Sequence, residues 1–170
     1  MRLEGKVALI SGAASGIQGE LMGFGGAAAR LFSQEGAKVV LTDINDELGR
    51  RTAAEIGGAG GEALYLHLDV TKEQEWIKVI AETVSRFGRL DVLVNNAGSS
   101  STNRTVLTTT PEEAENVVRV NFLGPFFLTQ AVLPSMLEAE KGTIVNVSSV
   151  AALSPSRLGG PIYSAAKAAL

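Results

Sequence analysis

The stretch Val7-Ala8-Leu9-Ile10-Ser11-Gly12-Ala13-Ala14-Ser15-Gly16-Ile17 decides the fold that this sequence predicts. Its first four residues are apolar and predict a buried β-strand, and a glycine-rich turn follows them. Residues 27–32 are rich in alanine and predict a helix, which Gly36 closes. A glycine-rich turn between a strand and a helix lets backbone N–H groups reach a pyrophosphate, although a simple tight connection explains such a turn equally well.

Short apolar runs alternate with helical patterns along the rest of the chain. Strands are predicted at 7–10, 38–42, 63–68, 92–94 and 143–147. Helices are predicted at 46–56 with Gly57-Gly58 as the stop, from the cap Thr71 to Phe87, from Pro111 to Leu137, and from Ser164 onward. Strands that are almost wholly apolar and alternate with helices predict a parallel sheet covered on both faces. The fold class is therefore α/β, a doubly wound Rossmann-type sheet in three layers, with ligands beyond the carboxyl ends of the strands.

The composition limits the classes of function. The chain has 170 residues, enough for one domain, which is expected to span residues 1–170. A net charge of -3 without a long basic run argues against a nucleic-acid partner. No cysteine is present, and a cytoplasmic protein without a signal peptide or a membrane span is expected. No residues have metal-ligand spacing, and the single histidine, His67, is expected to be structural.

Tyr163 and Lys167 form a pair with chemical meaning. At positions i and i+4 of a helix both side chains lie on one face, although such pairs also occur by chance. Hydride transfer to a carbonyl leaves an alkoxide that must gain a proton, and the reverse reaction must lose one. A tyrosine can exchange this proton when a neighbouring ammonium stabilises its phenolate. The pair therefore predicts general acid/base catalysis by Tyr163.

Two other polar residues extend this candidate site. Ser149 follows the fifth strand, and its hydroxyl can hydrogen-bond a substrate oxygen. Ser148 is its neighbour, and alternation along a strand places only one of the two toward the site. Asn121 lies within the apolar run Val118-Arg119-Val120-Asn121-Phe122, where burial without a partner is costly.

Together these motifs resemble the short-chain dehydrogenase/reductase family. Residues 11–17 are similar to its Thr-Gly-x-x-x-Gly-Ile-Gly loop, with Ser11 in the place of the threonine. Asn95-Asn96-Ala97-Gly98 matches its Asn-Asn-Ala-Gly segment, and Tyr163 with Lys167 matches its Tyr-x-x-x-Lys pair. The resemblance extends from Lys6 to Leu170. It implies an NAD(P)-dependent oxidoreductase that interconverts a secondary alcohol and a ketone.

The resemblance also implies which residues form the site. The catalytic set is Asn121, Ser149, Tyr163 and Lys167. The position of Ser149 in the family motif selects it over Ser148. In the family, the asparagine holds a water that connects the lysine to solvent. The cofactor-binding set is Gly12, Ser15, Gly16, Ile17, Asp43, Asp69, Val70, Asn96, Ala97, Gly98, Tyr163 and Lys167. Asp69 would meet the adenine amino group and Val70 its ring, although Asp69 also suits a helix cap. The asparagines of the Asn-Asn-Ala-Gly segment would tie neighbouring strands together.

The glycine loop departs from the family pattern at residues Gln18–Phe24. The simplest interpretation is an insertion of seven residues between Ile17 and Gly25. Gly25 then holds the place of the third family glycine, with Gly19 as the other candidate. Glycines in and beside the insertion disfavour a helix by about 1 kcal/mol each, so an irregular bulge is expected. Such a bulge either leaves cofactor binding intact or weakens it, and the sequence leaves both alternatives open.

Asp43 at the end of the second strand indicates the cofactor. Its carboxylate can accept hydrogen bonds from the adenosine ribose and repels a 2′-phosphate. No basic residue adjoins it, since Arg50 and Arg51 lie further on. NAD is therefore predicted in preference to NADP, and a role as a turn cap is the alternative for Asp43.

Family members continue beyond the Tyr-x-x-x-Lys helix with two more strands. The sequence is therefore expected to be a fragment without the last strands, in which residues 143–147 form an exposed edge and Lys167 lies in a single helical turn. Two functions are open: an enzyme acting on a small-molecule alcohol or ketone, or an inactive remnant that binds a nucleotide or a partner. Full-length relatives are expected to be homo-oligomers. The substrate cannot be read from these residues.

Overall fold

One parallel sheet forms the centre of the fold. The computed structural model describes residues 1–101, 105–154 and 159–170. Its strands are β1 (Val7–Ser11), β2 (Lys38–Asp43), β3 (Ala63–His67), β4 (Val92–Asn95) and β5 (Thr143–Asn146), in the order β3-β2-β1-β4-β5. The predicted doubly wound α/β fold is confirmed. The sequence also predicts a polar loop from Ser99 to Thr105 after the fourth strand, and its residues 102–104 lie outside the described residues.

Helices connect the strands and cover the sheet. They are α1 (Phe24–Gln34), α2 (Asp46–Gly58), α3 (Glu73–Phe87), α4 (Pro111–Val118), α5 (Gly124–Glu138) and α6 (Pro161–Ala169). A π-helical turn, Arg119–Leu123, joins α4 to α5, and a short 3₁₀ turn, Val150–Ala152, precedes α6. The long helix predicted from Pro111 is therefore present, but with a π turn that its sequence pattern did not reveal.

Three predicted helix ends are wrong. Helix α2 continues through Gly57-Gly58, because the glycine with the left-handed backbone that ends helices is Gly60, at φ +87°. Thr71 does not cap α3; its hydroxyl donates to Asp69 Oδ1 at 2.7 Å instead. Helix α6 begins at Pro161, a residue suited to the first helical position, and has nine residues rather than one turn.

Alternate residues of the central strands face two separate cores. Val7 and Leu9 pack with α3 and α5, whereas Ala8 and Ile10 pack with α1 and α2. This alternation gives the three layers of the fold. Strand β5 lies at the edge of the sheet with most of its residues exposed, as the sequence predicted.

The helical stretch Pro111–Glu138 is long and contains an apolar section. It has 28 residues, and an 18-residue window within it has a mean hydropathy of 1.3, so by length and composition alone it could cross a membrane. The sequence predicts no membrane span, and this stretch meets the length and hydropathy criteria because its helices are continuous. One face, with Leu128, Val132 and Met136, packs into the core beneath the sheet. A buried core helix passes the same test.

Asp91 is a buried carboxylate that joins the beginnings of β1 and β4. Its Oδ2 accepts hydrogen bonds from the Val7 N–H at 2.9 Å and from Arg89 Nε at 2.8 Å. Lys6 Nζ lies 3.6 Å from Oδ1. Burial disfavours the charged carboxylate, but the hydrogen bonds from Arg89 and Val7 outweigh it, so the pKa of Asp91 is lowered.

Asp91→Asn is expected to lower the free energy of unfolding by about 2 kcal/mol at neutral pH, because it weakens hydrogen bonds to a charged acceptor. The folded-state pKa lies below the unfolded value of about 3.9. The wild-type advantage is therefore present above that pH and is lost as the pH falls through the folded pKa. Urea unfolding near pH 7 and near pH 3 checks this, with the exposed Glu4→Gln as a control. An equal difference between wild type and Asp91→Asn at both pH values would contradict the prediction.

Candidate active site

A cavity of about 970 Å³ opens at the carboxyl ends of the strands. It extends to both sides of the boundary between β1 and β4, where the strand order reverses, which is where doubly wound folds bind ligands. Ten of the residues selected from the sequence line it: Gly12, Asp43, Asp69, Val70, Asn96, Ala97, Gly98, Ser149, Tyr163 and Lys167. The other four, Ser15, Gly16, Ile17 and Asn121, do not line it.

The turn after β1 is held tightly against the end of β4. Asn96 Nδ2 donates to the carbonyl oxygens of Ser11 and Gly12, each at 2.9 Å. Gly12 has φ +67°, and a Cβ there would lie 2.8 Å from the Ala97 Cα. Across the next strand pair, Asn95 Nδ2 donates to Asn146 Oδ1 at 2.9 Å. The asparagines thus tie neighbouring strands together, as the resemblance implied.

Ser15, Gly16 and Ile17 do not line the cavity, and Gly16 lies against α2 while Ser15 lies against the beginning of α1. The Gly16 N–H donates to Thr52 Oγ1 at 3.2 Å, and Arg30 donates to the Gly16 carbonyl oxygen. Ile17 is only 5% exposed, although it does not line the cavity. The structure therefore separates these three residues from the other candidate cofactor-binding residues.

The inserted segment is an irregular bulge up to Gly23, as expected, and α1 begins at its last residue, Phe24. Gly25 is the glycine that packs against the turn, because a Cβ there would overlap the Gly12 carbonyl oxygen and lie 2.5 Å from Asn96 Nδ2. Gly19, the other candidate for this place, has open space around it. The insertion therefore does not prevent the close approach of α1 to the turn.

Two acidic residues mark the end of the cavity formed by β2 and β3. Asp43 Oδ2 accepts from the Ala14 N–H at 3.0 Å, and Oδ1 accepts from the Asn45 N–H at 3.1 Å. Asp43 is thus a turn cap and a cavity residue at once, and each oxygen keeps a lone pair for a ligand. Asp69 Oδ1 accepts from both the N–H and the hydroxyl of Thr71.

Val70 beside them is positioned by a residue that sequence reasoning missed. The indole N–H of Trp76 donates to the Val70 carbonyl oxygen at 2.8 Å, and its ring stacks on Phe127 at 5.2 Å between centroids. A buried tryptophan needs a partner for its N–H, and this is the signal that could have identified the contact.

Tyr163 and Lys167 lie together at the other end of the cavity. Lys167 is 4% exposed, its Nζ donates to the Val147 carbonyl oxygen at 2.8 Å, and Nζ lies 5.9 Å from the Tyr163 ring centroid. Burial lowers the pKa of Lys167. An ammonium has three N–H donors, so those not bound to Val147 can serve a ligand or the phenol oxygen.

The two serines after β5 have different partners. The Ser148 hydroxyl donates to the Lys167 carbonyl oxygen at 2.8 Å and so fastens α6 to the end of the strand. Ser149 Oγ accepts from the Ala151 N–H at 3.1 Å, which leaves its own hydroxyl proton available to a substrate oxygen.

Asn121 lies in the π turn, behind the cavity wall. Its Nδ2 donates to the carbonyl oxygens of Ser99, at 2.7 Å, and Val117, at 2.9 Å. Its Oδ1 is buried and has no hydrogen-bond partner within the described part of the chain. A Cβ placed on Gly98 would lie 3.0 Å from this oxygen and 3.7 Å from Lys167 Nζ, so both atoms border the same glycine. An unpaired acceptor near an ammonium suits a bound water.

The site as a whole defines a class: a Rossmann-type nucleotide-binding fold with a tyrosine–lysine pair at one end of its cleft. The sequence profile of the short chain dehydrogenases matches residues 6–170. The chain therefore belongs to the short-chain dehydrogenase family, whose members are oxidoreductases that bind nicotinamide cofactors.

Relatives of known sequence and structure agree with this assignment. The chain is 41% identical over 169 residues to cyclopentanol dehydrogenase of Comamonas sp., covering 99% of this chain and 64% of that enzyme. It is 42% identical to an uncharacterized oxidoreductase of Thermotoga maritima, covering 100% of this chain and 63% of the relative. A solved structure described as a short-chain dehydrogenase/reductase from Burkholderia xenovorans has a TM-score of 0.90 at 34% identity and covers 98% of this chain and 65% of that one. The chain thus spans somewhat less than two thirds of the length of these relatives.

Proposed function

We propose that this chain carries the dinucleotide-binding and proton-transfer residues of an NAD-dependent oxidoreductase that interconverts a secondary alcohol and a ketone. The observation that carries the proposal is the arrangement of one continuous cavity, with Asp43 at one end and Ser149, Tyr163 and Lys167 at the other. A dinucleotide has a ribose that a carboxylate can bind at one end and a hydride-carrying ring at the other. The separation of these two groups of residues fits that ligand.

The residues along the cavity fit NAD in their chemistry. Asp43 would accept hydrogen bonds from the adenosine ribose hydroxyls, and its negative charge would repel a 2′-phosphate. Val70, held by Trp76, offers an apolar contact for the adenine. The free N–H groups of Lys167 would donate to the nicotinamide ribose. When bound, NAD accepts a hydride from the alcohol carbon, and NADH returns it to the ketone.

Three side chains would handle the substrate oxygen and its proton. The Ser149 hydroxyl donates a hydrogen bond that orients the oxygen. The Tyr163 phenol gives a proton to the developing alkoxide, or its phenolate removes one from the alcohol, and the Lys167 ammonium stabilises that phenolate. A water on Asn121 Oδ1 would pass protons from Lys167 toward solvent, which accounts for a buried oxygen that lacks a partner among the described residues.

Two measurements on the purified 170-residue chain test this function. NADH fluorescence titration reports binding, and absorbance of NADH reports turnover with NAD and a panel of cyclic and open-chain secondary alcohols. Binding with turnover is the expected result. The alternative is a nucleotide-binding remnant without activity. Binding without turnover would support that remnant, and absence of NADH binding would overturn both functions.

Asp43→Asn is expected to reduce the preference for NADH over NADPH at least about tenfold, because it removes the charge that repels the 2′-phosphate. Fluorescence titration of both cofactors gives the ratio of dissociation constants. Glu47→Gln is the matched control, since it removes an equal charge from the exposed surface of α2 and does not line the cavity. An unchanged ratio in Asp43→Asn would remove the basis for assigning NAD.

A further inference from the structure

We infer that Gly23-Phe24-Gly25, at the end of the inserted segment, contacts the central part of the bound dinucleotide in place of Ser15-Gly16-Ile17. The inference rests on the proposed function, because it concerns the same cavity. The sequence left open whether the bulge leaves cofactor binding intact or weakens it. Here the insertion itself supplies part of the cofactor site.

The two segments differ in their position relative to the cavity. Phe24 lines the cavity, whereas Ser15, Gly16 and Ile17 do not. The Gly16 N–H is bound to Thr52 Oγ1 of α2, and the Ile17 side chain is buried. The Gly16 N–H and the Ile17 side chain are therefore already engaged within the protein.

Phe24 lies near the ends of the two central strands, β1 and β4. Its neighbour Gly25 packs against Gly12 and Asn96, which follow β1 and β4. Phe24 therefore lies near the boundary between these two strands, with β2 and its Asp43 on one side and β5, which Ser149 follows, on the other. A dinucleotide that reaches both ends must place its pyrophosphate and the adjoining riboses there.

Hydrogen bonds and an ion pair connect the inserted segment to the rest of the fold. The Gly23 N–H donates to the Ser15 carbonyl oxygen at 3.0 Å, and the Gln18 N–H donates to Glu55 at 3.1 Å. Arg51 pairs with Glu20 at 3.3 Å. Anchors at the beginning, middle and end of the bulge reduce the conformational freedom that Phe24 would lose on binding.

The Phe24 ring offers an apolar surface to a ligand. Phe24 is 84% exposed, so the protein itself leaves most of its apolar surface in water. The ring cannot bind the phosphates, but it can cover the C–H face of an adjoining ribose. Burial of that surface on binding is favourable, and Gly25, without a side chain, lets the ring and the ligand approach the turn.

Phe24→Ala tests the inference, with Leu21→Ala as the matched control. Leu21 is in the same bulge, is 97% exposed and does not line the cavity, so both variants remove a similar exposed apolar side chain. Phe24→Ala is expected to raise the dissociation constant for NADH about tenfold, and Leu21→Ala is expected to leave it unchanged. NADH fluorescence titration measures both, and Phe24→Leu is expected to retain part of the affinity.

The outcomes separate this inference from the proposed function. If the wild type binds NADH and Phe24→Ala has an unchanged dissociation constant, the inference alone is overturned. A lower dissociation constant in Phe24→Ala also overturns it, because the ring would then obstruct the site. Equal losses in Phe24→Ala and Leu21→Ala also overturn it, because the effect would then belong to the bulge as a whole. Absence of NADH binding by the wild type overturns both proposals.

Discussion

Tyr163→Phe is expected to lower the turnover number for NAD-dependent oxidation of a secondary alcohol by about 10²–10⁴-fold, because it removes the proton-transferring hydroxyl. The phenyl ring keeps its place in α6, so the dissociation constant for NADH should change little. The measurement combines NADH absorbance under saturating substrates with fluorescence titration of NADH. A loss of turnover with retained binding assigns the hydroxyl to the chemical step.

The chain contains a matched control for this variant, its other tyrosine. The Tyr65 hydroxyl has one proton to donate, and its oxygen lies 2.7 Å from the Asp43 carbonyl oxygen and 2.9 Å from Asp46 Oδ1. Strand β3, which carries Tyr65, lies at the opposite edge of the sheet from β5. Tyr65→Phe removes the same atom and is expected to leave the turnover number within about threefold of wild type. Wild-type turnover in Tyr163→Phe would contradict the proposed proton-transfer role.

Gly26→Ala is expected to lower the free energy of unfolding by about 3 kcal/mol. A Cβ at this position would overlap the Ser15 carbonyl oxygen and lie 2.6 Å from the Gly16 Cα, and both are backbone atoms that cannot rotate away. Helix α1 would have to move from the turn, which would also disturb the contact of Gly25 with Gly12. Urea unfolding followed by circular dichroism gives the change.

Gly57→Ala is expected to raise the free energy of unfolding, in contrast to Gly26→Ala. Gly57 lies in α2, and a Cβ added there would have no heavy atom within 4 Å, so alanine adds helix propensity without a clash. The free energy of unfolding is expected to rise by about 0.5–1 kcal/mol. A similar change in both glycine variants would show that α1 does not pack as closely on the turn as its geometry implies.

Much of the fold could be predicted because the pattern that defines it is local. Each buried strand is a short apolar run, and Asp43, Asn96 and Ser149 lie at or just after strand ends, so the parallel sheet brings them to one edge. The pair of Tyr163 and Lys167 could be predicted equally well, since a helix places i and i+4 side by side.

The course of the inserted segment could not be predicted because it depends on distant partners. Thr52 and Glu55 of α2, which hold Gly16 and Gln18, are more than thirty residues away along the chain. The sequence pattern therefore indicated a bulge but not that it turns Ile17 inward and presents Phe24 to the cavity. The spacing Gly23-x-Gly25 at the beginning of a helix could have indicated that this segment lies at the cavity. The match of Gly12 to Gly16 with the family loop instead directed the assignment to the earlier residues.

The π turn at Arg119–Leu123 sets the angular phase of the long helical stretch. One residue corresponds to about 100° of rotation in an α-helix, and a π turn accommodates an additional residue without breaking the helix. Asn121 can therefore face Gly98 and the Lys167 ammonium while Leu128 and Val132 still face the sheet. The residues before the π turn are thus oriented toward the cavity, and the residues after it are oriented toward the hydrophobic core. Removal of a single residue from the turn would leave either the amide or the leucine pointing the wrong way.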